Sequence, residues 1–183
     1  MPAAVIGASV CIAMLAAGLA AAPAAGQVRL TQEQALRLAF PEPAAIERRT
    51  AFLGDQERSR VRHLAGMDVD IAQGVVTYYV GLQNGRPIGV AYFDAHRVRT
   101  LRQVLMIVVG PDDRVERIEV LTFQEPPDYL PPEGWLDQFE ARALDDGLSL
   151  RRGIVGMTGA TLTAEAVVRA TRRVLALHQV IRP

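Results

Sequence analysis

The sequence predicts an α+β domain: a mainly antiparallel sheet of at least four strands with helices packed on it. Three observations lead there. Residues 74–123 fall into apolar and alternating runs separated by turn-forming pairs. The chain before them, over 28–66, reads with helical spacing, and so does the C-terminal run AEAVVRATRRVLALHQVI. With 183 residues, half of them hydrophobic, the chain is long enough for one globular core.

The first 26 residues, MPAAVIGASVCIAMLAAGLAAAPAAG, carry no charged side chain. They are expected to be a signal peptide cleaved after Ala24 or Gly26, or an N-terminal membrane anchor, since the run is long enough to cross a bilayer. Either way the domain at 28–183 is exported, to the periplasm or another extracytoplasmic space. The single cysteine, Cys11, lies in this leader, so the domain has no disulfide framework or thiolate metal site.

LTQEQALRLAFPEP predicts a short helix, with Thr31 and Gln34 as a capping box and Pro41 and Pro43 as stops. AAIERRTAFLGDQERSRVRHLAG, rich in Arg and Glu, reads as two solvated helical segments interrupted at Gly54. Four strands follow, VVTYYVGL, IGVAYFDAHRV, VLMIVVG and VERIEVLTF, with Asn84-Gly85 and Pro111-Asp112-Asp113 as tight connections. VLMIVVG has no polar face and is expected to be central. A proline-rich loop leads to WLDQFEARAL, a short helix with Trp135, Leu136 and Phe139 on its apolar side, and LSLRRGIVG reads as extended. The last helix buries a stripe through Val167, Val168, Thr171, Val174 and Leu175, while Arg169, Arg172 and Arg173 are expected to point away.

Charges cancel to zero and the arginines are scattered, so nucleic acid is not an expected partner. All the Lys/Arg residues are Arg, which excludes Schiff-base and P-loop chemistry. No Ser-His-Asp set is apparent, and His63 stands alone as an ordinary surface histidine.

The informative stretch is GMTGATLT, residues 156–163, at the mouth of the last helix. The first N–H groups of a helix have no partner within it and carry partial positive charge, which suits a phosphate. Gly159 allows an unusual backbone angle, Ala160 keeps the approach open, and Thr158, Thr161 and Thr163 supply hydroxyls. The plainer alternative is that Thr161 or Thr163 is an N-cap.

At these residues the chain resembles the covalent FMN-binding domain family, found in the C subunit of the sodium-translocating NADH:quinone reductase, in the G subunit of the Rnf electron-transport complex and in stand-alone exported proteins. The family pattern is approximately Asp-x-x-Ser/Thr-Gly-Ala-Thr, often followed by an apolar residue and Thr or Ser. Residues 155–163 read VGMTGATLT, and the resemblance extends over roughly 74–179.

The resemblance implies FMN joined through its phosphate to Thr161 as a phosphodiester, by a flavin transferase that uses FAD and Mg²⁺. It places Thr158, Gly159, Ala160, Leu162 and Thr163 around the attachment point; a ring leaning back over the sheet would have Glu125, Tyr129 or Trp135 at its edge, with structural packing the first expectation for Trp135. The implied role is electron transfer with membrane redox partner proteins, as part of an oxidoreductase complex rather than a stand-alone enzyme. Val155 stands where the family usually has Asp, and Glu125-Pro126-Pro127 where many members have Glu-Thr-Pro-Gly. The alternative reading is an exported binding or assembly module that has this fold without covalent flavin.

Overall fold

The structure, a computed structural model, describes residues 27–66, 69, 71 and 74–183; the expected leader lies outside them. A six-stranded antiparallel sheet forms the centre, in the order β1-β6-β5-β4-β3-β2. The strands are β1 (Gln27–Val28), β2 (Ala45–Phe52), β3 (Val75–Gln83), β4 (Arg86–Arg97), β5 (Arg102–Val109) and β6 (Val115–Phe123). The helices are α1 (Gln32–Ala39), α2 (Asp55–Ala65) and α3 (Thr161–Ile181). The α+β class and the C-terminal helix are therefore as the sequence predicts. Among the described residues no helix is long and apolar enough to cross a membrane.

β5 explains its own composition. Leu105, Ile107 and Val109 face the core shared with Val167, Val174 and Leu175 of α3, while Met106 and Val108 face Leu36 and Phe40 around α1 on the other side. Both faces are covered, so no polar alternation survives. β3 and β4 meet at Asn84 and Gly85, both at positive φ (52° and 74°), the geometry that two-residue hairpins require. In α1 the capping box forms as read: the Gln34 N–H donates to Thr31 Oγ1 (3.2 Å), and the Thr31 N–H donates to Gln34 Oε1 (2.8 Å).

Residues 45–52 correct the sequence reading, because they form a strand and not a helix. β2 pairs with β3 along its whole length, from Ala45 opposite Leu82 to Phe52 opposite Val75. It is one of the sheet's two edges, where arginine and glutamate discourage further pairing, and such a charged edge resembles a solvated helix in composition. The cue was spacing. Glu47 and Arg49, two residues apart, share one side of a strand and pair at 2.7 Å. Within 28–66 only α1 and α2 are helical.

Two further expectations change between β6 and α3. The short helix at WLDQFEARAL docks Trp135, Leu136 and Phe139 as expected but is a five-residue 3₁₀ helix, Trp135–Phe139, after which the chain pairs back onto β6 through Ala141 N–H to Val115 O (2.8 Å) and Val115 N–H to Arg142 O (2.9 Å). LSLRRGIVG is a set of turns rather than an extended piece, gathered where Ser149 O accepts the N–H groups of Arg152, Gly153 and Ile154 at 3.0–3.2 Å.

On α3, Arg172 and Arg173 do not point away. Arg173 forms a two-pronged ion pair with Asp94 of β4 (2.7 and 2.8 Å), and Arg172 donates to the carbonyls of Ala65 and Asp145, both at 2.7 Å. The flank assigned to solvent is covered by α2, whose Val61 and Ala65 pack beside Ala176 and Leu177.

Candidate functional site

The threonine motif forms a turn and then a helix start. The Ala160 N–H donates to Met157 O (3.2 Å), and Gly159 sits at φ 79°, a conformation that an L side chain adopts only with strain. α3 begins at Thr161, with Ala160 as its N-cap. Alanine has no side-chain acceptor, so the first turn of a 21-residue helix is uncapped, and it contains no acidic residue. This disposes of the capping role for Thr161 and Thr163. Thr161 is the first helical residue and is exposed; Thr163 is the third and is buried.

The helix start borders a cavity of about 240 Å³. Gly159, Ala160, Thr161, Leu162 and Thr163 form one wall, and Val98, Arg99, Glu125 and Tyr129 face them. The fold thus brings Glu125 and Tyr129 to the motif across some thirty residues of chain.

Glu125 has a structural task there. It is buried, and its Oε1 accepts the backbone N–H groups of Arg99 (3.1 Å), Thr100 (2.9 Å) and Leu101 (2.9 Å). Burial opposes its charge, but those three donors outweigh it and hold the carboxyl below the ordinary glutamate range. The carboxylate ties down the turn between β4 and β5 and so presents Arg99, exposed, at the cavity. Arg99 was not singled out by the sequence reading, and no motif distinguishes it from the other arginines.

Trp135 lies underneath and does not line the cavity. Its indole N–H donates to Val155 O (2.9 Å), its ring meets Phe139 edge-on at 5.3 Å, and it packs against the cluster of Met157, Ala160 and Ala164. The Val155 N–H donates to Gln138 Oε1 (2.7 Å). Residue 155 is therefore held by its backbone, while its side chain is 76% exposed. Thr158 is exposed on the turn, outside the cavity lining. His63 is exposed, and among the described residues no group of three metal-ligating side chains occurs.

The wall of the cavity offers a positive helix end, a guanidinium and an accessible hydroxyl, a set of groups that fits a phosphate. Its volume is smaller than the ~300 Å³ at which pockets begin to enclose a drug-sized ligand. It is large enough for a phosphate group. No family model, curated protein or solved structure matches the chain.

Proposed function

We propose that this chain is an exported electron-transfer flavoprotein, with FMN bound through a phosphodiester to Thr161, matured by a flavin transferase and serving a membrane-associated redox chain. The observation that carries the reading is the position of Thr161: an exposed hydroxyl on the first residue of an uncapped helix, at a cavity it shares with Arg99. The N–H groups of the first turn and the Arg99 guanidinium oppose the phosphate charge, and the Gly159 turn leaves Thr161 open to the transferase. When bound, FMN supplies the redox chemistry, accepting electrons in a pair and releasing them singly. A covalent tether keeps it on a protein outside the cytoplasm, where free cofactor would diffuse away.

The test is coexpression with a flavin transferase. The protein should gain the mass of one FMN less one water and give a fluorescent band on a denaturing gel. Thr161→Ala should abolish the band and keep the fold, whereas Thr158→Ala and Thr163→Ala should reduce incorporation without eliminating it. Flavin retained through denaturation by the Thr161→Ala protein would refute the assignment. An unmodified, colourless wild-type product would favour the second reading, the exported binding or assembly module, for which Val155 in place of Asp speaks.

A further inference from the structure

β3 and β4 share a ladder from Gln83 opposite Arg86 as far as Tyr78 opposite Tyr92, and there it stops. Beyond that point residues 75–77 of β3 pair only with β2, and residues 93–97 of β4 pair only with β5. A cleft of about 650 Å³ is lined by both strands where they part, within the size range of pockets that enclose small organic ligands.

The cleft lining mixes apolar and charged groups. Tyr79 and Phe93 meet edge to face at 5.5 Å on one side, and Val76 and Leu177 lie on the other. The Tyr79 hydroxyl is fixed by Gln32 Nε2 (2.7 Å). Among the described residues Asp94 is the one carboxylate in the lining, and it is already matched by the two-pronged Arg173 pair and by His96 Nδ1 at 2.7 Å. His96 in turn is held by Gln103 Oε1 at 3.0 Å. Two guanidiniums remain, and among the described residues neither has a carboxylate partner. Arg48 on β2, opposite Tyr79, and Arg102 on β5, opposite Arg97, stand towards opposite ends of the cleft.

We propose that this cleft binds an elongated organic dicarboxylate, its apolar chain against Phe93 and Val76 and a carboxylate on each of Arg48 and Arg102. The site is separate from the Thr161 cavity and needs no flavin. Calorimetric titration of the full chain with decanedioate should give saturable binding at least tenfold tighter than decanoate, with 1,10-decanediol weaker still. Arg48→Gln and Arg102→Gln, both at exposed positions, should each cut decanedioate affinity about tenfold, to the decanoate level. The lysine variants at the same positions should restore most of it. Absence of saturable binding, equal affinity for decanoate, or indifference to either Gln substitution would overturn the proposal, with circular dichroism confirming that each variant is folded.

Discussion

Replacing Glu125 with alanine should loosen the site from behind, and its size can be worked out from the contacts. Three N–H donors converge on one carboxylate oxygen. Hydrogen bonds to a charged acceptor contribute ~1.5–3 kcal/mol each, but three that share one oxygen do not add, and water reaches the exposed turn at Arg99 and Thr100 once the carboxylate is gone. The expected loss is about 2–3 kcal/mol, which at a urea m-value of ~2 kcal/mol/M lowers the unfolding midpoint by about 1–1.5 M. Glu125→Gln keeps a neutral carbonyl acceptor and should lose about half as much. pH separates this from a general packing defect. The folded carboxyl is held below its ordinary range, so its contribution is complete above the unfolded glutamate value of ~4.3 and disappears as pH falls through the depressed folded value. Wild-type and Gln midpoints should therefore converge in acid. A shift below ~0.3 M for Glu125→Ala, or a wild-type-to-Gln gap unchanged down to acid pH, would refute the argument.

Other outcomes follow from single contacts. Gly159→Ala should cost ~1–2 kcal/mol by urea unfolding, because an added Cβ meets nothing within 4 Å and only the positive φ is penalised. Gly156→Ala is equally open and has no positive φ, so it should be neutral or gain up to ~1 kcal/mol. Trp135→Phe should cost ~1 kcal/mol through loss of the bond to Val155 O and leave the spectrum of the flavinylated protein unchanged. His178 is held neutral by burial, against the opposing pull of Asp113, so its folded value lies below the ordinary imidazole value. Stability should be full above pH ~6.5 and decline as pH falls towards that lower value, a slope that His178→Gln should flatten in urea titrations.

The sheet was legible where pattern and turn chemistry agree. The alternating and apolar runs of 74–123, split by Asn84-Gly85, could pair in few ways, and VLMIVVG, the apolar run of β5, could sit only inside. β2 was hidden because an edge strand leaves its charged residues in water, and composition alone does not separate that from an exposed helix face. The inward turn of Arg172 and Arg173 was hidden for a related reason: an arginine on the far side of a helix reads as solvated unless its partners, here Asp94 and two carbonyls distant in sequence, are known. At the site, the Gly159 turn and the helix start were readable from local sequence. The pairing of Glu125 with the turn at residues 99–101 was not, since it joins two loops through backbone donors that no side-chain motif records.

Those unforeseen polar contacts bear directly on the position of Thr161. The stripe that α3 turns to the core is made largely of small residues, among them Ala164, Ala166, Ala170, Val167 and Val174. Such a stripe tolerates sliding, and a slip of one turn would displace the helix start by about 5.4 Å, most of the width of the groups that must meet at the cavity. Directional contacts remove that freedom. Arg173 grips Asp94 in β4, Arg172 spans from the end of α2 to Asp145, and His178 sits between the Tyr92 hydroxyl (3.1 Å) and Asp113 (3.2 Å). A shift by one turn would break all of these together and strip the buried Asp94 carboxylate, whose charge burial penalises, of its two-pronged Arg173 pair, leaving it only the bond to His96. The helix dipole attracts a phosphate wherever α3 begins; the Arg and His contacts determine that it begins beside Arg99.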